Sequence, residues 1–136
     1  MRPKLKEPIA ILGHGLEGKS TLRHLQNWGY REITVFDRTD PAEILPSGVQ
    51  GRFGEDYLAG LLEMNTAIRS PGVRPFVPEI EAFKKKGGTL TSQLEIVLQL
   101  AGSRRIMGVT GTLGKGTCCS LLSAMLSRGG VPHRLA

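Results

Sequence analysis

Short apolar runs alternate with helical patterns along this chain, which predicts a parallel α/β sheet. Ile9-Ala10-Ile11-Leu12 is an unbroken apolar run and reads as a first buried strand. Leu22, Leu25 and Trp28 recur at three-residue spacing and predict a helix over 16–28, closed by Gly29. Ile33-Thr34-Val35-Phe36 reads as a second strand ending at Asp37, followed by a polar, Pro-containing loop over 39–46. A short strand near 49–52 and a helix over 56–64 are expected next. Thr66-Ala67-Ile68-Arg69 is a poor strand by propensity but falls where one is due. Ser70-Pro71-Gly72 ends it, since Pro lacks a donor and Gly permits a tight turn. A helix over 78–86 stops at Gly87-Gly88, Thr89-Leu90-Thr91 makes a brief strand, and a helix runs over 92–101. Gly102 and Ser103 read as a linker. Beyond them come a strand over 105–109, a second glycine loop and a helix over about 116–127. The fold expected is a Rossmann-like three-layer domain over 1–102, then the opening strand, loop and helix of a second, incomplete domain over 103–136.

The chain has 136 residues, 40% of them hydrophobic and 22% charged, near the average of a soluble globular domain. Neither a leader nor an apolar run of about 18 residues is present, so no membrane partner and a cytoplasmic location are expected. The net charge of +6 raises the question of nucleic acid. Its basic residues are scattered apart from Lys84-Lys85-Lys86 and Arg104-Arg105, and aromatics are 5% of the chain with none interleaved. A single-strand binder would need that stacking platform, so no nucleic acid is expected. The lysine cluster reads as a solvated helix end that complements the dipole. Cys118 and Cys119 are adjacent, without metal-ligand spacing to any His, and read as reduced thiols.

Two glycine loops carry the chemistry. Gly13-His14-Gly15-Leu16-Glu17-Gly18 follows the first strand and opens the first helix. In such a loop the first glycine makes the turn, the second lets backbone approach a pyrophosphate, and the third lets helix pack on strand. The helix N-terminus adds open amides and a partial positive charge. Asp37, about 20 residues on, stands where a carboxylate meets a ribose hydroxyl in dinucleotide folds. A nicotinamide or flavin domain of an oxidoreductase is therefore one reading. His14 and Glu17 read as loop surface. The second loop, Gly108 to Thr117, carries Gly111, Thr112, Gly114 and Lys115, an amide-lined curve with a cation for terminal phosphates. Gly116 stands where a Mg²⁺-binding hydroxyl is expected. Thr117 is one place late, about 100° around the helix.

Four stretches together resemble the bacterial Mur ligases, in particular the branch that adds D-glutamate. They are 11–18, Phe36-Asp37-Arg38, Ser70-Pro71-Gly72-Val73, and 108–117, in that order and spacing. The resemblance implies a three-domain enzyme whose first domain holds the UDP part of UDP-MurNAc-L-alanine. Its central domain binds ATP and Mg²⁺, and a third brings D-glutamate to an acyl phosphate of the substrate. It implies UDP contacts from Gly15, Leu16, Glu17, Gly18, Asp37, Arg38, Ser70 and Gly72. It implies ATP contacts from Gly111, Thr112, Gly114, Lys115, Gly116 and Thr117, with Thr117 the candidate metal ligand. The family pattern has Asn at Leu113 and Ser or Thr at Gly116, so the ATP–Mg²⁺ site is altered. A nucleotide-hydrolysing core needs about 100 residues. An N-terminal portion is therefore expected, inactive alone and needing no cofactor itself. The apolar face Leu121, Leu122, Met125 and Leu126 of its last helix is expected to fold back on the first domain, self-associate or fray.

Overall fold

The first apolar run becomes β1 (Ile9–Leu12), with all four residues buried. A strand covered on both faces needs such a run, because an alternating pattern would send polar side chains into one of two cores. The other strands are β2 (Ile33–Asp37), β3 (Val49–Phe53), β4 (Thr66–Arg69) and β5 (Thr89–Thr91). In the computed structural model, which describes residues 2–102 and 105–135, they form one five-stranded sheet of order β3-β2-β1-β4-β5. Every neighbouring pair is parallel. The expected parallel α/β domain is present.

Helices cover both faces. Ile9 and Ile11 point to one side, where Leu22 and Leu25 of α1 (Leu16–Asn27) and Ile96 of α3 (Gln93–Ala101) meet them. Ala10 and Leu12 point to the other, against Ile80 and Phe83 of α2 (Pro78–Lys85). At eight residues α2 is too short to persist alone. Its two fully buried side chains contribute about 1.5–3 kcal/mol each and hold it on the sheet. Pro78 starts it, and Ser92 caps α3 by accepting the Glu95 amide at 3.1 Å.

Two expected elements differ. The helix over 56–64 is instead a series of turns ending in a 3-10 helix at Leu61–Glu63. Ala59, Leu61, Glu63 and Met64 all donate to the carbonyl three residues back. Gly60 stands in the middle of the segment, where it costs an α-helix about 1 kcal/mol against Ala, and the one 3-10 turn that forms starts from it. The expected strand over 105–109 carries no strand pairing. A strand exists only against a partner edge, and among the described residues 105–135 hold no second strand.

Residues 1–102 and 103–136 form two separate compact units. In the second, α4 (Lys115–Arg128) follows the glycine loop, while Ser123 Oγ and His133 Nε2 lie 2.7 Å apart and tie the tail to the helix. Ser103 of the expected linker lies outside the described residues.

Candidate functional site

The three glycines of the first loop have three distinct surroundings. Gly13 has φ +94°, open to glycine at little cost, and its amide donates to Phe36 O at 2.8 Å. Gly18 packs so closely that an added Cβ would sit 1.9 Å from Gly13 O. Gly15 meets nothing within 4 Å, so no protein atom requires a glycine there. Gly15 is the N-cap of α1 without a side-chain cap, and Lys19 N closes the first turn on Gly15 O at 3.0 Å. The amides of Leu16, Glu17 and Gly18 are those a helix leaves open at its start. Leu16 is 92% exposed beside them.

A second turn stands against this loop. Ser70 N donates to Leu12 O at 2.9 Å, and Val73 N closes the turn on Ser70 O at 3.1 Å. Ser70 Oγ lies 3.5 Å from Gly13 O, and a Cβ on Gly13 would come within 3.1 Å of Ser70 Cβ. Gly72 is exposed, with nothing within 4 Å of an added Cβ. From β1 the chain fills the sheet through β2 to β3, then returns to the other side of β1 for β4 and β5. The two glycine turns thus flank the point where strand order reverses, the crevice in which open α/β sheets take ligands.

The end of β2 forms the third wall. Asp37 Oδ2 accepts the His14 amide at 2.5 Å, and Oδ1 accepts the Thr39 amide at 2.8 Å. Arg38 reaches Glu55 at 3.5 Å, both exposed. Burial raises the Tyr57 hydroxyl pKa above its ordinary value; the Asp37 and Glu79 charges add to the rise, and Arg38 opposes it. His14 corrects the surface reading: it is 8% exposed, and its Nδ1 is buried without a partner among the described residues. Its amide is anchored on Asp37, and its Nε2 lies 3.7 Å from Glu43 on the segment after β2. Lys19 pairs with the same carboxylate, whose pKa is lowered chiefly by that hydrogen bond. Glu17 is half-buried.

Arg69, Lys19, Glu43 and Tyr57 border this region without having been singled out by motif. Arg69 had a faint signal, a charge ending an otherwise buried strand. Glu43 had none, being one acid in a polar loop.

In the second unit, Gly111 (φ +152°) and Gly114 (φ +77°) curl the loop, and Gly114 caps α4. Lys115 Nζ folds back to Gly111 O at 2.6 Å and Thr112 O at 3.4 Å. Thr112, Leu113, Gly116 and Thr117 are exposed. Among the described residues no group of three or more His, Cys, Asp and Glu side chains is placed to hold a metal ion.

Over residues 7–92 the chain matches the family described as Mur ligase MurD-like, N-terminal domain. The chain belongs to the MurD-like Mur ligases. It is similar to UDP-N-acetylmuramoylalanine--D-glutamate ligase of Symbiobacterium thermophilum, 33% identical over 134 residues, covering 93% of this chain and 29% of that protein. The ligase of the same name in Acetivibrio thermocellus is 31% identical over 137 residues, 95% of this chain and 29% of its own. That of Anaeromyxobacter dehalogenans is 32% identical over 133 residues, 93% and 29% respectively. This MurD-like chain therefore spans 29% of the length of each of these three relatives.

Proposed function

We propose that residues 1–102 hold the UDP portion of UDP-MurNAc-L-alanine for a peptidoglycan-precursor ligase. The observation that carries this reading is the contact between the Gly13 loop and the Ser70 turn across the switch point of the sheet. The diphosphate would rest on the open amides at the start of α1, where the helix dipole favours negative charge. Gly15 and Gly72 would let backbone approach it, Ser70 would offer its hydroxyl, and Gly18 would set the depth of the loop. Leu16 and Glu17 would border the nucleotide, with Asp37 and Arg38 on the uracil side.

The second unit belongs to the ATP half of the same reaction. Gly111, Thr112, Gly114, Gly116 and Thr117 would line the phosphates and Lys115 would neutralise them, releasing the loop carbonyls it now contacts. ATP would activate the substrate carboxylate as an acyl phosphate, which the amine of D-glutamate attacks with loss of phosphate. Mg²⁺ fits this loop poorly: Gly116 has no side-chain oxygen, and Thr117 is the hydroxyl left in the first turn of α4. The chain alone would bind without catalysing, in a cytoplasmic setting. Among the described residues no helix is long and apolar enough to cross a membrane.

Calorimetric titration of the chain with UDP-MurNAc-L-alanine and with NAD tests the reading. Heat of binding with the nucleotide sugar alone is expected. Tight NAD binding with none for the sugar nucleotide would transfer the Gly13 loop and Asp37 to the oxidoreductase reading, which has no use for Lys115 in a second glycine loop.

A further inference from the structure

The Ser70 turn is held by a side chain outside both glycine loops. Arg69 ends β4, in register with Leu12 of β1. Its Nη1 donates to Ser70 O at 3.2 Å and to Val73 O at 2.6 Å, so one nitrogen bridges the two ends of the turn. A guanidinium carries five N–H donors in a fixed plane. Among the described residues the side-chain hydrogen bonds of Arg69 are those two, which leaves Nη2 and Nε uncommitted.

The charge of Arg69 is also uncommitted. Arg38, Arg52, Lys19 and Lys84 each lie beside a glutamate. Among the described residues no carboxylate comes within 4.0 Å of Arg69. The residue is half-buried, so its cation gives up hydration without gaining a protein counter-charge. It adjoins Ser70, whose hydroxyl lies 3.5 Å from Gly13 O of the first loop. A helix start offers roughly half a charge, short of what a diphosphate requires.

We propose that Arg69 is the fixed cation of this crevice, clamping the Ser70–Val73 turn through Nη1 and offering its remaining donors to the diphosphate of a nucleoside diphosphate. The assignment rests on the nucleotide-sugar reading and gives that site its full positive charge. The clamp gives the cation its place: two backbone carbonyls fix the guanidinium plane, so less side-chain entropy is lost when the anion arrives.

Titrations of the 136-residue chain, Arg69→Gln and Arg69→Lys with UDP and with uridine test this. Uridine shares the base and ribose and lacks the diphosphate. Arg69→Gln is expected to weaken UDP by about tenfold or more, as for loss of a charge-assisted contact, and to leave uridine unchanged. Arg69→Lys keeps the charge without the fork and is expected to recover part of the loss. The UDP affinity of the unaltered chain should fall more steeply with salt than that of Arg69→Gln. Equal UDP affinity in Arg69→Gln, or parallel loss of UDP and uridine, overturns the assignment, as does a lysine variant as weak as the glutamine one. Where Arg69→Gln unfolds by circular dichroism, Arg69→Lys decides: selective retention of UDP supports the cation, and loss of both ligands overturns it. An unaltered chain that takes up neither ligand overturns the nucleotide reading together with this one.

Discussion

The Asp37 carboxylate accepts the His14 amide at 2.5 Å, binding the end of β2 to the loop after β1. Its other oxygen takes the Thr39 amide at 2.8 Å. The acid that a dinucleotide pattern assigns to a ribose is therefore also a brace for the loop itself. Asp37→Ala is expected to lower stability by about 1–3 kcal/mol, chiefly the cost of leaving the part-buried His14 amide without a charged acceptor. Calorimetric melting should show it, with faster amide exchange at His14 and Thr39. An unchanged melting curve would mean the brace is replaced by water.

Gly18 and Gly15 should separate packing from ligand approach. A Cβ at Gly18 would stand 1.9 Å from Gly13 O and 2.9 Å from its carbonyl carbon, both backbone atoms that cannot swing aside. Gly18→Ala is expected to cost more than about 2 kcal/mol and to weaken binding through the distorted loop. Gly15 has φ −72° and open space around it, so Gly15→Ala should leave stability within about 0.5 kcal/mol. Its UDP affinity should nevertheless drop, because the methyl stands where backbone would meet phosphate. Paired melts and titrations check this; a Gly15→Ala chain that binds UDP normally removes Gly15 from the site.

Most of the sheet was legible because its signals are local. Ile9–Leu12 is an apolar run, Ser70-Pro71-Gly72 a stop, and Gly87-Gly88 a helix end. What failed depended on a neighbour or on a single interrupting residue. Leu58, Leu61 and Met64 share the three-residue spacing of Leu22 and Leu25, and Gly60 among them is the residue that tells against an α-helix. Residues 105–109 look like a strand, yet strand identity belongs to a pair. At the site, each glycine had a motif to announce it. Arg69, Glu43 and the burial of His14 had none, because their roles come from residues 4 to 29 positions away: Val73 for Arg69, Glu43 for His14.

Glu7 predicts a specific acid sensitivity. Its Oε1 accepts the amides of Glu32 at 2.9 Å and Arg31 at 2.6 Å, joining the segment before β1 to the turn before β2. The Glu32 bond, then the Arg31 bond, hold its pKa below the ordinary 4.5. Because the folded form ionises more readily, the contribution is fully present above the unfolded pKa. It is lost as pH falls from about 4.5 through the lower folded value. Glu7→Gln should therefore melt below the unaltered chain near neutral pH, with the gap closing as the solution is acidified. A gap independent of pH would assign the loss to shape and not to charge.

The last helix predicts association. Leu121 and Met125 lie one turn apart on α4 and are 61% and 70% exposed, with Leu122 and Leu126 half-buried beside them. No residue of α4 is buried. An apolar stripe of this kind gains by covering itself, at roughly 25 cal/mol for each Å² removed from water. The chain is expected to associate through it as concentration rises, which sedimentation velocity would report as an increasing weight-average mass. Leu121→Glu with Met125→Glu places two like charges on that stripe and should hold the chain monomeric, without altering UDP binding by residues 1–102. A chain that sediments as a monomer at every concentration would show that α4 needs no partner of its own kind.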